Sequence, residues 1–178
     1  SPILLHAEGK SINQVINIVS ETGKRVHFCH IGISSDLKQI IKAKENRLPI
    51  TCGTTPHYLF LTEKDAKILG PFGLMKPSLG SKADQNFLWK NLKHVDVIES
   101  DHAPHTVEEK KSDHPPFGVP GLETTLPLLL TAVFENKLSI NRLIELCFKN
   151  PKKIFNIKTD KNTWVEIDEK EEYIIDNK

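Results

Sequence analysis

A short apolar run followed by an amphipathic stretch recurs along this 178-residue chain, and this repeat constrains the fold more than any other feature. Apolar residues recur at helical spacing after the first run, from Ile12 to Val19, and Gly23 ends that stretch. Repeated strand-then-helix units predict an α/β fold with a parallel sheet and right-handed crossovers. The four predicted strands cover residues 3–5, 26–29, 48–52 and 95–98.

Two architectures satisfy this repeat: an open, doubly wound sheet and part of an eight-stranded (β/α) barrel. A complete barrel needs roughly 200 to 250 residues, and this chain has four of the eight units. If the fold is a barrel, the chain therefore carries half of one.

The other segments are predicted to be helices, one long loop and a separate tail. The polar segment 100–119 is long for a connector, and its Pro, Gly and His content indicates a functional loop. Residues 163–167 and 173–175 alternate like strands of a small sheet, so we expect an α/β unit over 1–158 and the start of a small β subdomain over 159–178. Helices are predicted after a cap at Ser34 or Ser35, from Thr62 to a stop at Gly70, at 81–92, 122–134 and 140–147, and briefly after Pro151.

Charge and composition exclude several classes of partner. The 24 Lys and Arg nearly cancel the 23 Asp and Glu, and the net charge of +1 supplies no broad basic surface for nucleic acid. No apolar run approaches the roughly 20 residues that span a bilayer, and the start lacks signal-peptide features, so we expect a cytoplasmic protein without a membrane partner. Three cysteines without Cys-x-x-Cys spacing predict reduced thiols rather than disulfides or a zinc knuckle.

Three metal-ligand side chains stand just after predicted strands. His6, His30 and Asp101 each follow an apolar strand by one to three positions, and the carboxyl ends of parallel strands meet at one rim. Imidazoles and a carboxylate suit zinc, which can lower the pKa of a bound water toward about 7. The pattern therefore predicts metal-assisted hydrolysis at this rim.

Each of these residues also has a plainer interpretation. A lone histidine at a strand end is more often a hydrogen-bonded structural residue, and Asp101 could cap the loop that follows it. His27 alternates with His30 along the strand, so we expect it to face the other side and to be structural. Cys29 and Cys52 favour packing over nucleophilic chemistry because no Cys-His-Asn signature surrounds them.

The segment Phe-Gly-Val-Pro-Gly at 117–121 precedes a predicted helix. Backbone amides at a helix N-terminus can receive an anionic or carbonyl oxygen. The alternative is a Pro/Gly turn that only opens the helix, and without further context this second interpretation is the favoured one.

Five short segments, taken in order, resemble the motifs of dihydroorotases. Segments 102–110 and 126–133 extend the resemblance to the dihydroorotase domain of the animal-type multifunctional pyrimidine-synthesis protein. One motif alone is weak, whereas five in order span nearly the whole chain. They are Leu-His-Ala-Glu at 5–8, Phe-Cys-His-Ile at 28–31, Thr-Pro-His-Tyr-Leu at 55–59, Ser-Asp-His-Ala-Pro-His-Thr at 100–106 and Val-Pro-Gly-Leu-Glu-Thr at 119–124.

The resemblance implies the C-terminal half, strands 5 to 8, of an amidohydrolase-type TIM barrel, with residues 1–158 as half of a metal-dependent hydrolase. Such enzymes interconvert N-carbamoyl-L-aspartate and L-dihydroorotate in de novo pyrimidine synthesis at a centre of two zinc ions. By motif, His6 and His30 resemble ligands of one zinc. Asp101 resembles a ligand of the other and the catalytic residue that shuttles the proton of the bridging hydroxide, which attacks the ring carbonyl.

The resemblance also suggests substrate-binding residues, with two departures from the family pattern. His105 resembles the residue that holds the substrate carboxylate, and the backbone of Pro120 and Gly121 resembles the part that contacts the pyrimidine ring. His105 favours dihydroorotase over dihydropyrimidinase or allantoinase. Lys76 stands where the animal-type pattern has Arg, keeping the charge but losing bidentate geometry, and Gly53 stands where that pattern has an acidic residue.

Part of the family's metal centre lies outside this sequence. The first strand of the family supplies a His-x-His pair and an Arg, and the fourth supplies a carbamylated lysine, whereas this chain starts after both. We therefore expect an enzyme fragment, inactive alone, whose partners are the small-molecule substrate, the missing N-terminal half of the barrel and a second copy in a homodimer. Ser1-Pro2 lacks an initiator Met, which favours this interpretation.

Two other functions remain open at this point. The first is a catalytically degenerate relative that acts as a binding or scaffolding partner, for example of a full-length dihydroorotase. The second is a sister hydrolase that acts on a different cyclic amide.

Overall fold

The computed structural model describes residues 1–160, 162–168, 174 and 175. At its centre is a four-stranded parallel sheet in which each strand pairs with the next in the chain. The strands are β1 (Ile3–Leu5), β2 (Val26–Phe28), β3 (Ile50–Thr54) and β4 (Val97–Ile98). This order confirms the predicted parallel α/β sheet, and it puts the carboxyl ends of all the strands at one rim.

Helices connect these strands and cover the sheet. Two 3₁₀ turns cover Gly70–Gly73 and Leu92–His94, and a π-helical turn covers Glu145–Lys149. The helices are α1 (Lys10–Thr22), α2 (Ser34–Glu45), α3 (Pro56–Phe60), α4 (Glu63–Leu69), α5 (Lys82–Lys90), α6 (Val107–Lys110), α7 (Leu122–Phe134), α8 (Ile140–Ile144) and α9 (Asn150–Phe155).

Local side-chain chemistry sets most of the helix ends as predicted. Gly23 ends α1 in the left-handed conformation at φ 65°, and Thr62 opens α4 with a capping box. The expected cap of α2 is different, because neither Ser34 nor Ser35 caps the helix with its side chain. Instead, the backbone N–H of Ser34 donates to the carboxylate of Asp84 at 2.9 Å, so a residue of α5 completes the start of α2.

The fourth strand is shorter than its apolar run predicts. The backbone N–H of Val95 donates to Leu92 O at 3.2 Å, and its carbonyl accepts from the guanidinium of Arg142 at 2.6 Å. Both polar groups of Val95 are therefore used outside the ladder, and β4 begins only at Val97.

The two edge strands differ in the burial of their side chains. Ile3 and Leu4 of β1 are more than half exposed, as a half-barrel predicts. A half-barrel would also leave the apolar run 95–98 at the other edge open, but Val97 and Ile98 are buried. The π-helical turn Glu145–Lys149 packs on β4, and the Asn150 amide donates to the carbonyl of Asp96 at 2.8 Å.

The C-terminal tail leaves the predicted small sheet untested. The described residues 163–167, 174 and 175 form no strand, whereas Tyr173 lies outside the described residues. The β subdomain over 159–178 therefore stays a prediction. Among the helices of the described part of the chain, none has the length and apolarity needed to cross a membrane.

Candidate active site

His6 and His30 follow β1 and β2 and meet at the rim of the sheet. Their ring centroids are 4.3 Å apart in an edge-to-face arrangement. The side chain of His6 is about half exposed and lies 3.8 Å from the Glu8 carboxylate, whereas His30 is buried. The structure therefore places two of the predicted metal ligands in contact, one facing solvent and one enclosed.

The backbone at the strand ends is held in an unusual conformation. His30 and Asp101 have positive φ angles of 39° and 47°. For a residue other than glycine, such a conformation costs about 1–3 kcal/mol and is concentrated at functional sites. The turns that carry these two side chains are therefore imposed by the surrounding fold.

His30 also carries a buried nitrogen that is open to a ligand. Its Nδ1 atom is buried and has no hydrogen-bond partner among the described residues. Buried polar atoms are nearly always paired, because leaving one unpaired costs about 1–3 kcal/mol. A metal ion is one group that would satisfy this nitrogen, so the site fits the predicted ligand role.

His57 is a site residue that the sequence reasoning did not single out. It lies just after β3 in α3, is buried, and its Nε2 has no partner in the described part of the chain. Burial lowers the pKa of His57 to about 4, although the nearby charge of Asp101 opposes this shift. The ring is therefore neutral near pH 7. Its position in the Thr-Pro-His-Tyr-Leu motif after a strand was the signal that could have identified it.

The amides at the start of α7 have a partner within the protein. The backbone N–H groups of Gly121 and Leu122 both donate to Nδ1 of His102, at 3.1 and 3.2 Å. The turn interpretation of segment 117–121 is therefore the better one, and these two amides are not open to a ligand oxygen. They fix the His102 ring and anchor the loop after β4, which also bridges to Val119.

The predicted substrate residues His105 and Lys76 lie on neighbouring segments. One ring nitrogen of His105 lies 3.1 Å from the carbonyl of Phe117, and the other lies 3.5 Å from the Glu109 carboxylate. Lys76 is exposed. The Leu74 carbonyl accepts from Lys110 and from the backbone of Gly118, which ties the two segments together.

Two cavities adjoin the rim, and each is lined by different members of the predicted site. A cavity of about 200 Å³ is lined by His57, Ser100, Pro120 and Gly121 among others. A second cavity, of about 280 Å³, includes His30 in its wall. Neither of these two cavities includes His6, Asp101, His105 or Lys76 in its wall.

Glu99 is the other residue that the sequence reasoning missed. Its carboxylate accepts the backbone N–H of His30 and lies 2.8 Å from the Nε2 atom of His27. A Cβ atom on Gly53 would lie 1.9 Å from this carboxylate, so Glu99 fills the space next to the glycine. Glu99 comes directly after the predicted strand 95–98, and the rule that identified Asp101 could have found it.

The cysteines near the rim are not activated nucleophiles. Burial raises the pKa of Cys29 to about 11 and that of Cys52 to about 12. A reactive cysteine has a lowered pKa, so these thiols are protonated near pH 7. All three cysteines are free.

No family model matches the chain, but individual relatives do. The multifunctional protein CAD of Squalus acanthias is 44% identical over 175 residues, which are 98% of this chain and 8% of that protein. The dihydroorotase of Pyrococcus furiosus is 41% identical over 151 residues, which are 85% of this chain and 35% of that protein. The chain thus spans about a third of a separate dihydroorotase.

Solved structures have the same fold over part of their length. The L-hydantoinase (dihydropyrimidinase) from Arthrobacter aurescens superposes with a TM-score of 0.77 at 30% identity, over 83% of this chain and 34% of its own. The inactive dihydroorotase-like domain of the Chaetomium thermophilum CAD-like multifunctional protein gives 0.75 at 27% identity, over 89% of this chain and 44% of its own. The fold is therefore part of a TIM barrel of the amidohydrolase type, and the doubly wound alternative is excluded.

Proposed function

Because the chain is related to dihydroorotases over about a third of their length, we propose that it carries one half of a dihydroorotase active site. The reaction is the interconversion of N-carbamoyl-L-aspartate and L-dihydroorotate in de novo pyrimidine synthesis. One observation carries the proposal: His6 and His30 meet at the rim, and the buried Nδ1 of His30 has no partner among the described residues.

Proteins of this family are in general metal-dependent, and the rim fits such an ion. We assign zinc to it, since imidazole and carboxylate are ligands of zinc. His6 and His30 would hold one ion, and Asp101 would hold a second in the complete enzyme. When bound, the metal supplies a Lewis acid that polarises the amide carbonyl and makes a water molecule more acidic.

The residues of this chain transfer the proton of the attacking water. Asp101 is a carboxylate at the end of β4, where it can accept the proton of the attacking water and return it to the departing amide nitrogen. His57 lies near it with an unpaired, buried Nε2. Because burial keeps this ring neutral, His57 can offer one hydrogen bond to the substrate without adding charge.

Substrate binding is assigned to the loop side of the rim. His105 and Lys76 would hold the carboxylate of the substrate, and Lys76 would do so as a point charge without the fork geometry of arginine. Since the Gly121 amide already donates to His102, the segment of Pro120 and Gly121 would contact the ring through its other atoms.

The macromolecular partner that we propose for this chain is the N-terminal half of the barrel. The exposed side chains of Ile3 and Leu4 leave β1 as an open edge, and an N-terminal half would pair with it. A homodimer of completed barrels and a cytoplasmic location complete the proposal. The three free cysteines support a reducing compartment.

The test compares the chain alone with the chain plus a segment that supplies the first four strands. Alone, we expect no useful zinc-dependent hydrolysis of dihydroorotate, together with self-association in light scattering. With the complementing half, we expect a monodisperse complex and activity. Steady turnover by the chain alone, or a cooperative monomeric unfolding transition that ignores the added half, would contradict the proposal.

A degenerate relative is the second candidate, and two observations favour it. One solved structure with this fold is described as an inactive dihydroorotase-like domain, and Gly53 and Lys76 depart from the animal-type pattern. In that case the reconstituted barrel would form but would not hydrolyse dihydroorotate. Hydantoin is tested as a substrate in the same assay. Its hydrolysis would indicate a sister hydrolase rather than a dihydroorotase or a degenerate relative.

A further inference from the structure

Lys110, the last residue of α6, is a buried cation in the loop region after β4. It is 3% exposed, and its Nζ atom donates to the carbonyls of Leu74 at 3.2 Å and Pro116 at 2.9 Å. Burial lowers the pKa of this lysine, and no carboxylate of the described residues forms an ion pair with it. Lysine is almost never fully buried unless it is paired. Two backbone carbonyls therefore take the place of an opposite charge.

The two carbonyls belong to segments next to the residues assigned to the substrate. One lies two residues before Lys76, and the other lies directly before Phe117. The Phe117 carbonyl can only accept a hydrogen bond, so Nε2 of His105, at 3.1 Å, donates to it. Lys110 thus connects the segment of Lys76 with the segment that fixes the ring of His105.

Two further contacts belong to the same arrangement. The Leu74 carbonyl, which accepts from Lys110, also accepts from the backbone N–H of Gly118 at 3.0 Å. The carboxylate of Glu109, the residue before Lys110, lies 3.5 Å from Nδ1 of His105. The last two residues of α6 therefore reach His105 on one side and the two carbonyls on the other.

We propose that Lys110 is a positioning residue that sets the placement of His105 relative to Lys76, so that both can act on one substrate carboxylate. The inference rests on the proposed function, because that function assigns the carboxylate to these two side chains. Groups that hold one carboxylate must keep a fixed separation, and a misplacement of about 1 Å can cost on the order of 100-fold in rate. An ammonium suits this task, since its three donors can reach carbonyls of different segments.

A purely structural clasp is the competing explanation. In that case Lys110 stabilises the loop after β4, but it does not affect how His105 and Lys76 act together. Replacing Lys110 would then lower the free energy of unfolding and leave the KM for dihydroorotate unchanged. The two explanations therefore differ in KM.

The first experiment uses the barrel reconstituted from the full chain and the N-terminal half. Lys110→Met keeps a long side chain but removes its donors, so we expect the KM for dihydroorotate to rise about tenfold or more, with a smaller change in kcat. Lys110→Arg keeps donors and should recover part of this loss. Lys111→Met changes the exposed neighbouring lysine, and as the matched control it should leave both constants unchanged.

A double variant shows whether Lys110 acts through His105. In His105→Ala the substrate carboxylate has already lost one of its two partners, so adding Lys110→Met should raise KM by less than about threefold further. Two effects that multiply in full would overturn the inference, because Lys110 would then act independently of His105.

A measurement without substrate separates this inference from the proposed function. Hydrogen exchange of the full chain should be about tenfold faster at the Gly118 amide in Lys110→Met than in the unaltered chain, because hydrogen bonds to charged groups are the strong ones. Lys111→Met should match the unaltered chain. If the unaltered barrel is inactive, the proposed function fails, whereas faster exchange in Lys110→Met would still support the link between the two segments. Unchanged exchange at Gly118, or an unchanged KM for Lys110→Met in an active barrel, overturns the inference.

Discussion

The two edges of the sheet have opposite environments. On β1, Ile3 is 54% and Leu4 is 56% exposed, whereas on β4 Val97 is 4% and Ile98 is 8% exposed. The chain after β4 turns back and packs the π-helical turn Glu145–Lys149 against that strand, whereas β1 pairs with β2 alone among the described strands. Burial of apolar surface contributes about 25 cal/mol per Å². One edge is therefore stabilised from within the chain, whereas the other leaves apolar side chains exposed to solvent.

The largest expected effect concerns the catalytic role of Asp101, which follows the buried edge strand β4. In a reconstituted barrel, Asp101→Asn should reduce kcat by about 100-fold to 10,000-fold, because an amide cannot accept the proton that general base catalysis requires. Single-turnover rates at saturating substrate measure this loss. A reduction below about tenfold would reassign Asp101 to loop capping and leave β4 without a catalytic role.

The next prediction measures the difference between the edges as stability. Leu146 is fully buried beside β4, so Leu146→Ala should lower the free energy of unfolding by about 2–5 kcal/mol. In the chain alone, Leu4→Ala should change it by no more than about 0.5 kcal/mol, since surface changes are usually that small. Urea unfolding monitored by circular dichroism gives both values. If Leu4→Ala still does not lower the free energy of unfolding after the N-terminal half is added, that half does not cover β1.

The buried histidine His57 should make the stability of the fold depend on pH. Burial lowers the pKa of His57 to about 4, so below about pH 6.5 the unfolded chain takes up a proton that the folded chain refuses. Stability should fall between about pH 6.5 and 4, by up to about 3 kcal/mol. His57→Asn should flatten this slope, because it removes the group whose pKa burial lowers. The urea midpoints of the unaltered chain and the variant, measured across this pH range, test the prediction.

The smallest effect concerns the loop beyond β4. His105→Ala should raise KM by about tenfold or more, because a hydrogen bond to a charged group is worth about 1.5–3 kcal/mol, with a smaller change in kcat. Steady-state kinetics on the reconstituted enzyme measure the two constants separately. A change in kcat alone would give His105 a chemical role in place of carboxylate binding.

Much of the fold was predictable because its determinants are local. The apolar runs and the helical spacing predict every strand and most helices, and the Thr62 cap and the Gly23 stop need only neighbouring residues. The α2 cap was predicted wrongly because its partner, Asp84, lies 50 residues away. The length of β4 was overestimated for the same kind of reason, since Arg142 takes the carbonyl of Val95 from a distance of 47 residues.

By itself, the sequence determined the parallel sheet and the positions of His6, His30 and Asp101 just after its strands, since strand polarity and the position of a residue after a strand are local properties. Only the tertiary structure decided that β4 is covered, that His102 occupies the amides of α7, and that Glu99 joins His27 beside Gly53. Glu99 and His27 are 72 residues apart, and no local pattern records which distant groups share a space. Packing decides which group fills the space, because the Glu99 carboxylate and a side chain at position 53 cannot occupy the same volume.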